Sequence, residues 1–186
     1  MQRTSVGHGA FVIGSRRGTS SHQYNPMMIL AEKETTEDAG TCYGMSFVYS
    51  GGFKAEVEKD QFGQTRMQMG LQDEQFSYPL EKGQEFVIPE VILTCSNQGL
   101  GKLSQNLQRC IRKNLCRGKY KEKVRPVLIN SWEACYFDFT GEDIYHLAEQ
   151  AKDLGIDMVV LDDGWFGTRN DDKQGLGDWF ANLNKL

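Results

Sequence analysis

The sequence contains no long hydrophobic run, and this absence excludes a membrane-spanning helix. The N-terminus leads into no apolar core of a signal peptide. None of the five cysteines forms a Cys-x-x-Cys pair, and the three histidines stand far apart, without a partner at metal-ligand spacing. We therefore expect reduced thiols in a cytoplasmic protein, with no disulfide framework, no metal site and no cofactor.

A strong charge of one sign is also lacking. The chain has 21 Lys and Arg against 25 Asp and Glu, which gives a net charge of −4. Because nucleic-acid-binding domains are usually basic, this balance argues against a nucleic-acid partner. Hydrophobic residues make up 39% and charged residues 25% of the 186 residues, which is ordinary for one globular domain or two small ones.

Alternation of apolar and polar residues dominates the first half of the chain. Phe53, Ala55 and Val57 alternate with charged residues, which predicts a half-buried strand. Gly51-Gly52, just before it, predicts a two-residue hairpin. Similar patterns predict further strands at residues 10–13, 27–31, 45–49, 65–71, 76–80 and 86–94. Short strands with regularly spaced turns indicate an antiparallel β-sandwich, or part of one.

The pattern becomes helical after residue 98. Leu and Ile residues recur every three or four positions from Leu100 to Leu115, which predicts a linking helix at about residues 99–118. A charged connector follows at residues 119–123. We therefore predict a β-sandwich portion with its linking helix at residues 1–118 and a different domain at residues 119–186.

Residues 119–186 have the pattern of one βαβ unit. Two apolar runs without alternation predict buried parallel strands at residues 126–132 and 157–162. Between them, Thr140 and Asp143 resemble a capping box, and an apolar stripe predicts a helix at residues 141–154. The predicted fold class is therefore α+β as the chain stands.

Both predicted parallel strands end in polar and aromatic residues. Trp132 ends the first strand, and Asp162-Asp163 followed by Gly164 ends the second. Parallel strands that are neighbours end on the same face, where α/β folds place their ligand sites. Two carboxylates beside an indole suit a polyhydroxylated ligand such as a sugar. Asp-Asp-Gly is also a good turn sequence, and that alternative stays open at this point.

Five stretches of the sequence carry a family resemblance. They read RGTSSH (17–22), DQFGQTR (60–66), RPVLINSWEACYFDF (125–139), LDDGWFG (161–167) and LGDW (176–179). In this order they resemble bacterial α-galactosidases of glycoside hydrolase family 36. The match runs over nearly the whole chain, and several long motifs in the right order make it specific.

The resemblance implies a larger architecture and a reaction. Family members have an N-terminal β-sandwich domain, a central (β/α)8 TIM barrel and a C-terminal sheet domain. This chain would be a fragment that holds the latter part of the sandwich and the start of the barrel. The implied reaction is retaining hydrolysis of terminal α-galactosyl groups, as in melibiose or raffinose, by two carboxyl groups about 5 Å apart. The implied full-length protein is a homo-oligomer.

The resemblance also implies roles for the site residues. Asp162 and Asp163 match an acidic pair that bonds galactose hydroxyls, and Trp132 matches a tryptophan that lines the sugar pocket. The family's nucleophile, in a Lys-Trp-Asp motif, and its acid/base aspartate have no counterpart in these 186 residues. We therefore predict no catalytic residue in this chain and no activity of the isolated chain. Ser131 is a small departure, since the family often has Asn there.

Two other hypotheses stay open on the sequence alone. The chain could be a non-catalytic sugar-binding module, in which case it would bind galactose without hydrolysing a galactoside. It could instead be a small α/β protein with an acidic metal site, in which case magnesium or calcium would raise its melting temperature.

Overall fold

The structure is a computed structural model, and it describes residues 3–186. Its contacts divide the chain into two units, Met1–Cys116 and Arg117–Leu186. Across the described residues, no helix is long and apolar enough to cross a membrane.

Six strands are found in the described part of the first unit, and they form two antiparallel sheets. One sheet has the order β1–β4–β5 and the other has the order β2–β3–β6. The strands are β1 (Gly9–Ser15), β2 (Met27–Ala31), β3 (Cys42–Phe47), β4 (Phe53–Lys59), β5 (Thr65–Leu71) and β6 (Val91–Ser96).

A single hydrophobic core joins the two sheets. In β4, Phe53, Ala55 and Val57 are almost fully buried, whereas the charged residues between them are half-buried. Met28 and Phe47 of the other sheet belong to the same core. The period-two pattern that predicts a half-buried strand here is therefore confirmed, and the two sheets form a small sandwich.

The second sheet is also covered on its other face, by helix α1 (Gly99–Cys110). Ile29 of β2 packs against Leu100 and Leu103 of this helix. Because β2 has an apolar cover on both faces, it carries apolar residues without alternation. The helix is followed by one π-helical turn, Ile111–Leu115, where the sequence predicts a single helix to residue 118.

The hairpin predicted at Gly51-Gly52 is wrong. The strands that flank the two glycines, β3 and β4, belong to different sheets and do not pair. Phe47 and Phe53, at the facing ends of these strands, are both buried in the shared core. A two-glycine turn permits a hairpin without requiring one, and here burial of both strands in one core directs the chain to the opposite sheet.

The strand predicted at residues 76–80 is also wrong. In the described chain, residues 72–90 form neither helix nor strand. Phe76 and Tyr78 pack instead on Phe86, with ring centroids 6.0 and 4.4 Å away. Alternation alone misleads here, since the apolar side chains gather into a local aromatic cluster without a neighbouring strand.

The second unit contains one βαβ arrangement. Strands β7 (Leu128–Asn130) and β8 (Met158–Val160) are parallel, and Asn130 lies opposite Val160. Helices α2 (Trp132–Cys135) and α3 (Gly141–Lys152) lie between them in the chain. Both strands are shorter than predicted, and their residues are exposed or half-buried where the sequence predicts burial. The first strand stops early because the chain enters a one-turn helix at Trp132. Antiparallel sheets, helices and a parallel pair together confirm the predicted α+β class.

A capping box begins α3, as the sequence predicts. The backbone N–H of Asp143 donates to Thr140 Oγ1 (3.3 Å), and the backbone N–H of Thr140 donates to Asp143 Oδ2 (2.8 Å). The Thr140 hydroxyl also donates to this carboxylate (2.7 Å). These hydrogen bonds lower the pKa of Asp143. Two backbone donors that the helix leaves unpaired are thereby satisfied.

Thr140→Ala is expected to lower the free energy of unfolding of the second unit by about 1 kcal/mol, because it removes the capping oxygen. Urea unfolding followed by tryptophan fluorescence measures this loss in the second unit alone. The reason is that all three tryptophans of the chain lie in this unit, at positions 132, 165 and 179. Thr140→Ser keeps the hydroxyl and should leave the unfolding midpoint nearly unchanged, so equal losses in both variants would contradict the capping role.

Candidate functional site

The parallel pairing brings the ends of β7 and β8 together. Asn130 Nδ2 donates to Asp162 Oδ2 (2.6 Å), while Asn130 Oδ1 accepts from the backbone N–H of Trp132 (2.8 Å). Asn130 therefore connects the predicted site residue of one strand with that of the other. It is not among the predicted site residues, although its place at a strand end beside Trp132 could have indicated it.

Ser131 also links the ends of β7 and β8. Its side chain is almost fully buried, at 1% exposure, and its Oγ accepts from the backbone N–H of Asp162 (3.2 Å). Its own N–H donates to the carbonyl of Val160 (3.0 Å). With these bonds, the backbone that carries Asp162 is anchored to the end of the neighbouring strand.

Asp163 is engaged by a guanidinium group. Arg169 Nε donates to Asp163 Oδ1 (2.6 Å), and Arg169 Nη2 donates to Asp163 Oδ2 (2.7 Å). The backbone N–H of Gly164 donates to Oδ1 as well (2.7 Å). This is the fork-to-fork geometry that makes Arg–carboxylate pairs strong and directional.

The partner of Asp163 is itself enclosed by the following loop. Arg169 is 4% exposed. Its guanidinium carbon lies 5.6 Å from the ring centroid of Phe137 and 5.8 Å from that of Phe166. Its Nη1 donates to the carbonyl of Gln174. The loop after β8 is thus folded around a charged side chain that sequence analysis did not select.

The guanidinium changes the acidity of its partner. Its hydrogen bonds hold the pKa of Asp163 below the ordinary value for an aspartate, and they outweigh burial, which raises this pKa. In turn, Asp163 raises the pKa of Arg169. Asp163 is therefore a carboxylate at neutral pH, and it can accept hydrogen bonds but cannot donate a proton.

An open groove of about 390 Å³ lies at this strand end. Both acids contribute to its wall, together with two indole side chains. Its lining residues are Val160, Leu161, Asp162, Asp163, Trp165, Phe166, Leu176 and Trp179. Carboxylate oxygens beside flat apolar rings can hold a polyhydroxylated ring, with hydroxyls on the acids and C–H surfaces on the indoles.

Trp132 is not among the groove-lining residues. Its ring packs edge-on against Tyr136 and Phe137, with centroids 5.1 and 5.0 Å away. The structure connects it to Asp162 through Asn130 and gives the groove two other indoles. The role predicted for Trp132 stays a prediction.

The loop after the acidic pair closes on itself. Phe166 forms a β-bridge with Ala181, and the N–H of Gly167 donates to the carbonyl of Phe180 (2.8 Å). Among residues 3–186, no group of three or more His, Cys, Asp or Glu side chains is arranged to hold a metal ion. Asp162 instead accepts a hydrogen bond from Asn130, and Asp163 accepts two from Arg169.

Two family models match this chain. A family model described as Melibiase matches residues 85–186, and one described as the Glycosyl hydrolase family 36 N-terminal domain matches residues 1–81. Both correspond to the resemblance carried by the five sequence stretches, and the expected family is confirmed.

Curated relatives are similar over the whole chain. The bifunctional alpha-galactosidase/sucrose kinase AgaSK of Mediterraneibacter gnavus is 64% identical over 186 residues, which is 100% of this chain and 20% of that protein. Alpha-galactosidase AgaA of Geobacillus stearothermophilus is 48% identical, over 100% of this chain and 26% of that protein. The chain thus spans between a fifth and about a quarter of the length of these relatives.

Solved structures have the same fold over this region. The galactosidase domain of AgaSK superimposes with a TM-score of 0.92 at 64% identity, covering 100% of this chain and 26% of that chain. A variant of AgaA from Geobacillus stearothermophilus in complex with raffinose gives a TM-score of 0.93 at 48% identity, over the same shares. Because the Melibiase model matches more than half of the chain, the chain belongs to the melibiase family, and it corresponds to the N-terminal region of glycoside hydrolase family 36 proteins.

Proposed function

We propose that this chain is the part of a retaining α-galactosidase that binds the terminal galactosyl group of galacto-oligosaccharides such as melibiose or raffinose. The observation that carries the proposal is the acidic pair at the end of β8, set in a groove with two indole side chains. On this reading, β7 and β8 are the first strands of a (β/α)8 barrel. The sandwich before them belongs to the N-terminal domain of the full protein.

The proposal gives each predicted site residue a role. Asp162 and Asp163 accept hydrogen bonds from sugar hydroxyls, and Trp132 offers an apolar face to the ring. Each oxygen of Asp162 has one protein donor, so the carboxylate keeps acceptor positions for a ligand. Support for the substrate class comes from one relative, AgaA, whose variants have been solved in complex with raffinose and with stachyose.

The nucleophile and the acid/base are proposed to come from other parts of the full protein. Retention needs one carboxylate and one carboxylic acid about 5 Å apart. Asp163 is held ionised by Arg169, which suits a hydroxyl acceptor and does not suit a proton donor. The proposal also places the full protein in the cytoplasm as a homo-oligomer, and the five free cysteines support the reducing compartment.

Asp162→Asn is expected to raise the Kd for galactose about tenfold or more, because a hydrogen bond to a charged acceptor becomes one to a neutral amide. Titration of the chain with galactose, followed by tryptophan fluorescence, measures this change, since Trp165 and Trp179 line the groove.

A matched control is Asp157→Asn, at an exposed acid just before the start of β8, away from the groove. It should bind galactose like the unchanged chain. Absence of any saturable response in the unchanged chain would reject the proposed function. Equal affinities for Asp162→Asn and the unchanged chain would reject the role of Asp162.

A further inference from the structure

Arg169 differs from the other charged residues of its loop. Asp171, Asp172, Lys173 and Asp178 are exposed, whereas Arg169 is 4% exposed. Burial of a guanidinium is unfavourable unless its donors are paired. The fork on Asp163, the carbonyl of Gln174 and two aromatic rings provide this compensation. Among these partners, only the carboxylate of Asp163 carries a charge, and it accepts two of the three side-chain hydrogen bonds.

Asp163 reaches the groove and Arg169 does not. Asp163 is one of the lining residues, and its side chain keeps 25% exposure, against 5% for that of Arg169. Arg169 therefore lies behind the carboxylate, on the side away from a ligand in the groove. Arg169 contacts two lining residues, the ring of Phe166 and the carboxylate of Asp163, and its side-chain hydrogen bonds to the groove go to Asp163.

The two hydrogen bonds from Arg169 also determine which acceptor positions of the Asp163 carboxylate stay free. Oδ1 of Asp163 accepts from Arg169 Nε and from the N–H of Gly164, which uses its two lone pairs. Oδ2 accepts from Arg169 Nη2 alone, which leaves it one position. Two parallel hydrogen bonds to a planar group also fix the plane of the carboxylate.

We infer that Arg169 is a positioning residue for galactosyl recognition: it fixes the carboxylate of Asp163 so that one defined acceptor position on Oδ2 is available to a sugar hydroxyl. This inference rests on the proposed function, because it assumes that the groove binds the galactosyl group. The two acids then differ in the acceptor positions that they offer to a sugar. Asp162 keeps a free position on each oxygen, whereas Asp163 has a single position whose direction is set by Arg169.

The pH dependence of galactose binding distinguishes this positioning role from a purely structural role of the ion pair. If Arg169 acts on recognition, its removal frees the carboxylate to rotate and to take up a proton at a higher pH, so galactose binding fails at a higher pH. The charged groups around the pair are Asp162 next to it and Asp171 and Asp172 near the guanidinium. All three are acids, so their charge also favours protonation of Asp163 once Arg169 is gone.

The test compares Arg169→Lys and Arg169→Met in the 186-residue chain, with galactose titrations by tryptophan fluorescence over a range of pH. At neutral pH, Arg169→Lys should weaken binding several-fold, since a point charge cannot form the fork, and Arg169→Met should weaken it about tenfold or more. The acid midpoint of binding should move to a higher pH in Arg169→Met, because the hydrogen bonds that lower the pKa of Asp163 are lost. Lys173→Met removes an exposed cation from the same loop and should change neither quantity.

The outcomes separate this inference from the proposed function. If the unchanged chain does not respond to galactose, the proposed function fails. If it responds and Asp162→Asn weakens binding, but both Arg169 variants keep the affinity and acid midpoint of the unchanged chain, the positioning role alone is overturned. If urea unfolding shows that Arg169→Met does not fold, Arg169→Lys decides by its affinity for galactose at neutral pH: weaker binding supports the positioning role, and unchanged binding overturns it.

Discussion

The 186-residue chain is expected to hydrolyse an aryl α-galactoside no faster than buffer does. Enzymes accelerate such reactions by about 10⁶-fold or more, so this prediction concerns the loss of the whole acceleration. Its reason lies in the acid–base state of the groove. A retaining mechanism requires a carboxyl group whose pKa is raised, so that it can protonate the leaving oxygen.

The acidic pair does not meet this requirement. The pKa of Asp163 is lowered by Arg169, which is the direction opposite to that of a general acid. Asp162 accepts hydrogen bonds from Asn130 Nδ2 and from the N–H of Asp163. Both side chains therefore act as hydrogen-bond acceptors, which suits the binding of sugar hydroxyls.

The measurement is release of the aryl group, followed over hours at high protein concentration. A purified α-galactosidase on the same substrate serves as the positive control, and the Asp162→Asn chain serves as a control for contaminating activity. Turnover that scales with the concentration of the unchanged chain, and that disappears in Asp162→Asn, would contradict the prediction and assign chemistry to this groove.

Asp163→Ala is expected to lower the free energy of unfolding of the second unit by about 3 kcal/mol. Removal of the carboxylate leaves the guanidinium of Arg169 without its ionic partner, at 4% exposure and between two rings. An unpaired buried charge is the costly part of such a change, because the lost attraction is not offset by renewed hydration. Urea unfolding with tryptophan fluorescence measures the loss.

Lowering the pH should cause the same loss in the free energy of unfolding of the second unit in the unchanged chain. The folded-state pKa of Asp163 lies below its ordinary value of 3.8, so its contribution to stability is fully present above that value. The contribution falls as the pH drops from there through the folded pKa. Asp157→Ala, at an exposed acid, should cost little at any pH. A second unit as stable in Asp163→Ala as in Asp157→Ala would contradict the role of the ion pair.

The regular parts of the fold were predictable because they repeat. The alternation in β4 follows from one buried and one open face, and the capping box of α3 has fixed spacing in the sequence. The pairing of strands was less predictable. Gly51-Gly52 indicates a local hairpin, but which strands pair depends on the distant residues that complete the core, such as Met28.

The meeting of the two strand ends was predictable in the same way. A run of apolar residues that ends in Asp162-Asp163 locates the end of a strand, and parallel pairing brings this end beside that of β7, where Asn130 joins Asp162 to the backbone of Trp132. Arg169 could not be found in this way. It lies in a loop, where no periodic spacing relates a cation to the acid that it pairs with.

The segment at residues 72–90 has a consequence for how this sequence can change. In the described chain it forms neither helix nor strand, and it connects β5 of one sheet to β6 of the other. The entropy of closing a flexible connection grows only with the logarithm of its length, and a doubling costs about 0.6 kcal/mol. Insertions in this segment are therefore expected to cost little free energy and to keep the strand pairing of both sheets, so an epitope tag or a fluorescent reporter can be placed here to mark the protein.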